Sequence, residues 1–171
     1  MILVRHAESE WNRLFSRTRI DPGIPDPPLT ATGRRQAVEL AERLAETGVR
    51  RLVTSPYRRA LETATIVSKA LGVAVTVEPL IRERCVFSCD EGTSPGQLAA
   101  LWPALDFAHL EELWWGVPAE SEASLGERCA AFRAVTDLLA DRSRVAVVTH
   151  WGVIRALTGR ELSNAEYIRL A

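Results

Sequence analysis

Two short apolar runs, far apart in the chain, each deliver a histidine. Ile2-Leu3-Val4-Arg5 leads into His6, and Val145-Ala146-Val147-Val148-Thr149 leads into His150. Short, continuously apolar runs rich in β-branched residues read as strands buried on both faces, which belong to parallel sheets covered by helices. Both histidines then lie just past a strand's carboxyl end, where open α/β sheets hold their ligands. Arg5 adds a planar fork of donors for anionic oxygens, and a neutral imidazole can attack phosphorus. The pattern suits a phosphoryl group.

The sequence between these runs alternates helix and strand signals. Residues 6 to about 29 read as a long connection, because Asp21-Pro22-Gly23-Ile24-Pro25-Asp26-Pro27-Pro28 fits neither a helix nor a central strand. Thr30 is expected to cap a helix reaching about Thr47, with Val38, Leu40 and Leu44 as its apolar stripe and Gly48 as its stop. Arg51 to Thr54 reads as a second strand. Ser55 and Pro56 read as the N-cap and first residue of a helix carrying Leu61, Thr65, Ile66 and Val67 and ending at Gly72. Val73 to Val77 completes a βαβαβ order, the mark of a parallel sheet.

Residues 78 to 123 break this rhythm. Ser94-Pro95-Gly96-Gln97 suggests a short helix opened by a capping box, and Trp102, Trp114 and Trp115 cluster after it as packing residues. The segment of about 80–120 is expected to cross the top of the sheet. A helix over 124–140 should turn Cys129, Phe132, Val135, Leu138 and Leu139 inward. A strand over Arg144–Thr149, a helix over about Gly152–Leu157 and an edge strand within Asn164–Leu170 follow. The expectation is one α/β domain over 1–171, with three α/β/α layers and a mostly parallel sheet carrying an antiparallel edge strand.

Composition narrows the function. A chain of 171 residues with 47% apolar and 25% charged content can bury an ordinary core. A formal net charge of −1 argues against broad nucleic-acid binding, so positive charge must be gathered locally. No apolar run approaches a membrane span, and Arg5 comes too early for a secretory leader. The odd cysteine set, Cys85, Cys89 and Cys129, reads as free thiols in a cytoplasmic protein. Cys85-x-x-x-Cys89 lacks the second ligand pair that structural zinc needs, so no metal is expected.

Other candidates surround the two histidines. Arg58 and Arg59 fall in a first helical turn, where exposed cations oppose the helix dipole by roughly 0.3–1 kcal/mol each. A bound anion would reverse that sign. Arg59 is assigned to the anion and Arg58 to solvent. His150 precedes a helix start, whose free N–H groups favour anions. Asn12 either donates to a phosphate oxygen or closes a turn. Glu83, between Arg82 and Arg84, is either a surface ion-pair residue or a proton donor. His109 reads as structural.

Four blocks, in order, resemble the histidine phosphatase superfamily, in its phosphoglycerate mutase-like branch. They are Leu3-Val4-Arg5-His6-Ala7-Glu8-Ser9-Glu10-Trp11-Asn12, Pro28-Leu29-Thr30-Ala31-Thr32-Gly33-Arg34-Arg35-Gln36-Ala37, Ser55-Pro56-Tyr57-Arg58-Arg59-Ala60-Leu61-Glu62-Thr63-Ala64 and Thr149-His150-Trp151-Gly152-Val153-Ile154-Arg155-Ala156-Leu157. The resemblance implies that His6 becomes phosphohistidine and that Arg5, Arg59, His150 and Asn12 bind the phosphoryl group. It implies that Glu83 is the proton donor, and that no metal or organic cofactor takes part. The expected activity is that of a phosphoric monoester hydrolase of the histidine acid phosphatase type, acting on a small phosphorylated metabolite. The positive cluster is expected to lower the His6 pKa and also to pull Glu83 down.

Three departures from the family's pattern shape the expectation. Trp151 stands where the family has glycine after its second histidine, and should narrow the pocket. Cys85 to Gly92 replaces the mutases' aromatic-glycine pattern, which makes Asp90 and Glu91 rival acids. The chain is also shorter than typical mutases. The alternatives are a phosphoglycerate mutase and a non-catalytic phosphate-binding module of the same fold.

Overall fold

The computed structural model describes residues 1–116 and 119–170. Its strands are β1 (Ile2–Arg5), β2 (Arg51–Thr54), β3 (Ala74–Val77), β4 (Val145–Thr149) and β5 (Tyr167–Arg169), and its helices are α1 (Glu10–Thr18), α2 (Ala31–Ala45), α3 (Arg58–Leu71), α4 (Pro95–Leu101), α5 (Glu122–Thr136) and α6 (Trp151–Thr158). The sheet order is β3-β2-β4-β1-β5, parallel throughout except for the antiparallel β1–β5 pair. This is the mostly parallel sheet with an antiparallel edge that the sequence implied.

Side-chain alternation sorts the core into two faces. Ile2, Val4, Leu52, Ala146 and Val148 pack with Ala37, Leu40, Ala41 and Leu44 of α2 and Ala60, Ala64 and Val67 of α3. Leu3, Val53, Val145 and Val147 pack with Leu125, Cys129 and Phe132 of α5 and Val153 and Ile154 of α6. Each fully buried aliphatic side chain stabilises the fold by roughly 1.5–3 kcal/mol, and β1 and β4 are covered in this way on both faces. A third cluster, Tyr57, Leu61, Val77, Leu98, Phe107, Leu110 and Trp114, with Trp102 and Trp115 beside it, ties the 78–116 segment to the ends of β2 and β3. Residues 117 and 118 of that excursion lie outside the described residues. Among the described residues, no helix is long and apolar enough to cross a membrane.

Several local expectations are corrected. The connection over 6–29 contains α1, capped by Ser9 in a reciprocal pair with Asn12. Helix α3 starts at Arg58 rather than at Pro56, because the Ser55 hydroxyl is engaged by His150 and the Asp26 carboxylate caps the Arg58 N–H instead. Val38 of α2 is 50% exposed. Helix α5 stops at Thr136 and buries Leu125, Arg128, Cys129, Phe132 and Thr136, which leaves Val135 and Leu138 in solvent. Helix α4 forms without the expected capping box: the Ser94 hydroxyl meets the Gln97 side chain and makes no bond to the helix backbone.

Candidate active site

Strand register builds the first half of the site. Arg5 lies opposite Thr149 across the β1–β4 ladder, so the next residues, His6 and His150, emerge side by side. The His6 N–H donates to the Thr149 carbonyl at 2.9 Å, and the two imidazole centroids are 5.1 Å apart. His6 Nδ1 is 2.8 Å from the Ala7 carbonyl, which can only accept. Nδ1 therefore holds the proton and Nε2 keeps its lone pair. Burial, followed by Arg59 and Arg5, holds the His6 pKa well below the ordinary histidine value, so the ring is neutral. His150 is fully buried, its Nε2 2.8 Å from the Ser55 hydroxyl, while its Nδ1 has no partner among the described residues. Burial and the same arginines keep it neutral too.

The arginines converge on this pair. Arg5 Nη1 donates to the Leu162 carbonyl at 2.7 Å, and its buried Nε is unpartnered among the described residues. Arg59, the second residue of α3, donates from Nη1 to the Cys89 carbonyl at 2.6 Å and from Nη2 to Asp90 Oδ1 at 3.1 Å. Burial opposes its charge, but Cys89 and Asp90 outweigh that and raise its pKa. Asp90 Oδ2 accepts from the Val86 and Phe87 N–H groups at 3.1 and 3.0 Å. The anion that offsets the cations of this first turn is thus the protein's own Asp90. Arg58 does not line the cleft, but it is half-buried with its Nε out of water, so it is not the solvated arginine expected.

Glu83 lines the same cleft as His6. Both of its carboxylate oxygens lie 3.2 Å from the Gly152 N–H, and Oε1 also accepts from the Arg84 N–H at 2.9 Å. A Cβ at residue 152 would collide with Glu83 Oε1, so the second residue of α6 must be glycine for the Glu83 carboxyl to stay where it is. The expectation that the positive cluster lowers the Glu83 pKa is corrected. Burial, followed by Asp90, raises it, and the two N–H bonds and Arg59 only partly oppose this. The carboxyl group therefore stays protonated to higher pH than an ordinary glutamate, as an acid requires.

Asn12 closes the turn, one of its two expected roles. Its Oδ1 receives the Ser9 N–H, the Ser9 hydroxyl and Asn164 Nδ2 at 3.1, 3.0 and 3.2 Å, which leaves its own amide N–H groups for a ligand. A cleft of about 950 Å³ is lined by Arg5, His6, Asn12, Arg59, Glu83 and Trp151, among others, and His150 lies beneath its surface. Of the rival acids, Asp90 is committed to Arg59 and two backbone N–H groups, and Glu91 does not line the cleft. His109 bonds the Val77 carbonyl at 3.1 Å, away from the site. Among the described residues, no group of three or more His, Cys, Asp or Glu side chains is placed to hold a metal ion.

The family model of the histidine phosphatase superfamily (branch 1) matches residues 1–169. The chain belongs to that superfamily. A Proteus mirabilis relative named probable phosphoglycerate mutase GpmB is 32% identical over 171 residues, covering 96% of this chain and 75% of that protein. The Yersinia enterocolitica protein of the same name is 40% identical over 83 residues, which is 48% of this chain and 37% of that protein. The match thus spans little more than a third of that relative's length. The structure of mycobacterial glucosyl-3-phosphoglycerate phosphatase superposes with a TM-score of 0.65 over 98% of this chain and 87% of that one, at 24% identity, a likeness in fold.

Sequence reasoning missed several groups that organise the site of this histidine phosphatase superfamily member. Ser55 holds His150, Asn164 holds Asn12 and the His6 carbonyl, Thr63 accepts the Ala7 N–H, and Asp90 holds Arg59. Ser55 and Thr63 lie inside the third recognised block, which was the available signal for them. Asp90 had been weighed only as an acid.

Proposed function

We propose that this histidine phosphatase hydrolyses a small phosphomonoester through a phosphohistidine on His6. The observation that carries the reading is the neutral His6 ring, with Nδ1 tied to a carbonyl and the Nε2 lone pair free, in one cleft with a carboxyl group whose pKa is raised. Nε2 attacks phosphorus, the N–P bond forms and the ester P–O bond breaks, and Glu83 gives its proton to the leaving oxygen. Water then attacks the phosphohistidine, its proton passes to Glu83, and the N–P bond breaks. The unpartnered Arg5 Nε and His150 Nδ1, with Arg59 and the Asn12 amide, are the donors for the equatorial oxygens. With the Ser55 hydroxyl donating to its Nε2, His150 presents Nδ1–H. Fixed donors of this kind contribute roughly 10²–10³-fold each.

The names of the Proteus and Yersinia relatives support a second reading, transfer between the hydroxyls of a phosphoglycerate. Labelled substrate separates the two. After an alkaline quench, label should sit on a histidine and be lost in His6→Ala, with phosphate release outpacing any interconversion of 3- and 2-phosphoglycerate. Label on serine or cysteine would overturn the nucleophile, and faster interconversion would favour the mutase. Turnover should survive EDTA. Absence of any trapped label or product would leave a phosphate-binding module. The buried free thiols Cys85, Cys89 and Cys129 support a cytoplasmic location.

A further inference from the structure

The phosphoryl group needs only the floor of the cleft. Trp11, Phe15, Val86 and Phe87 form much of one wall, and Trp151 lines the same cleft. Trp11 stacks on Phe15 with centroids 4.3 Å apart, and Phe87 leans on both at 5.1 and 5.4 Å. Phe87 is 42% exposed and its neighbour Val86 46%. Among the described residues, Phe87 is the most exposed aromatic side chain, and it stands on the one large cleft that holds His6. Apolar surface continuous with a polar reaction centre is the form of a site for the uncharged part of a ligand.

Charge argues for the same occupant. Close to His6, Arg59 is matched by Asp90 and Arg84 by Glu122, while Arg5 bonds the Leu162 carbonyl. Glu161 adds a carboxylate to the walls. The cations left over, Arg19 and Arg155, are exposed at the rim and lie over the rings of Phe15 and Trp151, at 5.9 and 5.3 Å. Once Arg5 is given to the phosphate, only this rim pair among the lining cations is left for a second anionic group. A neutral, flat group would instead cover Phe87.

We propose that the alcohol leaving the phosphate is uncharged and carries a flat apolar group, as in an arylalkyl phosphate, held against Phe87, Phe15 and Trp151. The proposal rests on the phosphomonoesterase reading of the same cleft. Benzyl phosphate and 3-phosphoglycerate both leave as alcohols, so leaving-group acidity favours neither strongly. Benzyl phosphate should have a kcat/KM about tenfold or more higher, mostly through KM, as burying a phenyl ring allows. Phe87→Ser, at a position 42% exposed, should pull that ratio towards one, and Trp151→Gly, which leaves the Phe87 ring contacts in place, is the second variant. A wild-type preference for 3-phosphoglycerate, or a ratio unmoved by both variants, would overturn the proposal. Calorimetric binding of benzylphosphonate against methylphosphonate tests the wall without turnover. Tighter benzylphosphonate binding with no hydrolysis of any ester would sink the hydrolase and keep the apolar wall. Equal binding of the two phosphonates with turnover intact would sink the wall alone.

Discussion

His6 and His150 stand on neighbouring strands at the centre of the sheet, whereas Glu83 and Asp90 stand on a segment whose only regular structure is two short 3-10 turns. The histidines are positioned by ladder hydrogen bonds and by two faces of aliphatic core. The acid side is held by side chains that reach across to its backbone. Arg128 of α5 donates to the Leu80 and Arg82 carbonyls at 2.7 and 3.2 Å, on either side of the turn into Glu83, and grips Glu120 through two bonds of 2.8 Å. Glu120 in turn exchanges hydrogen bonds with the Cys85 backbone at 3.0 and 3.3 Å. The Thr149 hydroxyl takes the Ile81 carbonyl at 2.8 Å, and the Tyr57 hydroxyl takes that of Asp90 at 2.6 Å. A nucleophile can be fixed by secondary structure alone. An acid on irregular backbone needs a set of polar staples, each open to removal one at a time.

The largest effect should come from the acid itself. Glu83→Gln should slow phosphorylation by alkyl phosphates roughly 10²–10⁴-fold, and by a nitrophenyl phosphate much less, because a good leaving group barely needs the proton. Single-turnover phosphorylation rates check this, and equal losses for both esters would remove Glu83 from the role. The pH dependence has a defined sign. Since the Glu83 pKa is raised, activity requiring its proton persists above the ordinary carboxylate range of about 4.5 and falls as pH rises through the folded value. Its stability contribution is likewise present at low pH and lost as pH rises through that value, so the variant should be no less stable than the parent at pH 7. Its amide oxygen at the Oε1 position would keep both backbone N–H bonds.

A smaller effect on rate should expose the staples. Burial alone would raise the Glu120 pKa, but hydrogen bonds and charge from Arg128 bring it below the usual value. Arg128→Met leaves that buried carboxylate with only Arg82, 3.9 Å away, as a cationic partner, at a cost of up to roughly 3 kcal/mol in unfolding free energy. Adding Glu120→Gln should recover most of the stability. The Leu80 and Arg82 carbonyls would still lack their donor, so the double variant should remain roughly tenfold slow on alkyl phosphates while sparing nitrophenyl phosphate, within the range of misplacement effects. That split marks Arg128 as a positioning residue acting through Glu83. A double variant with full rates on both esters would show that Arg128 serves stability alone.

The same contrast explains what the sequence disclosed. β1, β2 and β4 are continuous apolar runs, and their register follows from a parallel ladder, so the meeting of His6 with His150 was legible. Helix α1 was hidden behind the proline-rich tract after it, although Ser9 with Asn12, and Trp11 with Leu14 and Phe15, spell a capped amphipathic turn. The overlong reading of α5 came from treating Val135 and Leu138 as core, when Leu125, Cys129 and Phe132 already complete its buried stripe. Asp90 with Arg59 and Asp26 with Arg58 join residues some thirty positions apart. No local pattern announces such pairs, because each partner alone looks like an ordinary surface charge.

The mildest variant probes where the two regions are joined. The Asp21 carboxylate accepts from Trp11 Nε1 at 2.8 Å and the Gly23 N–H at 3.1 Å on the α1 side. On the acid side it accepts from the Ser88 N–H at 2.8 Å and from the Ser88 hydroxyl. Slight burial works to raise its pKa, but these hydrogen bonds, those of Ser88 first, lower it to about 2. Because the folded value lies below the unfolded one, the contribution is present above the ordinary aspartate pKa of 3.8 and is lost as pH falls through about 2. Asp21→Asn removes the charge and turns one acceptor oxygen into a donor. The group is exposed, so screening limits the cost to roughly 1 kcal/mol, or about 2–4 °C in Tm for a chain of this size. The gap between parent and variant should be constant from pH 7 to about 5, narrow towards pH 2, and close below it. The ratio of benzyl to glycerate turnover should also slip, since Phe87 loses the anchor of the residue beside it. A gap that persists undiminished at pH 2 would mean that Asp21 acts through its shape and not its charge, and that the two walls of the cleft are held together by the Trp11, Phe15 and Phe87 rings alone.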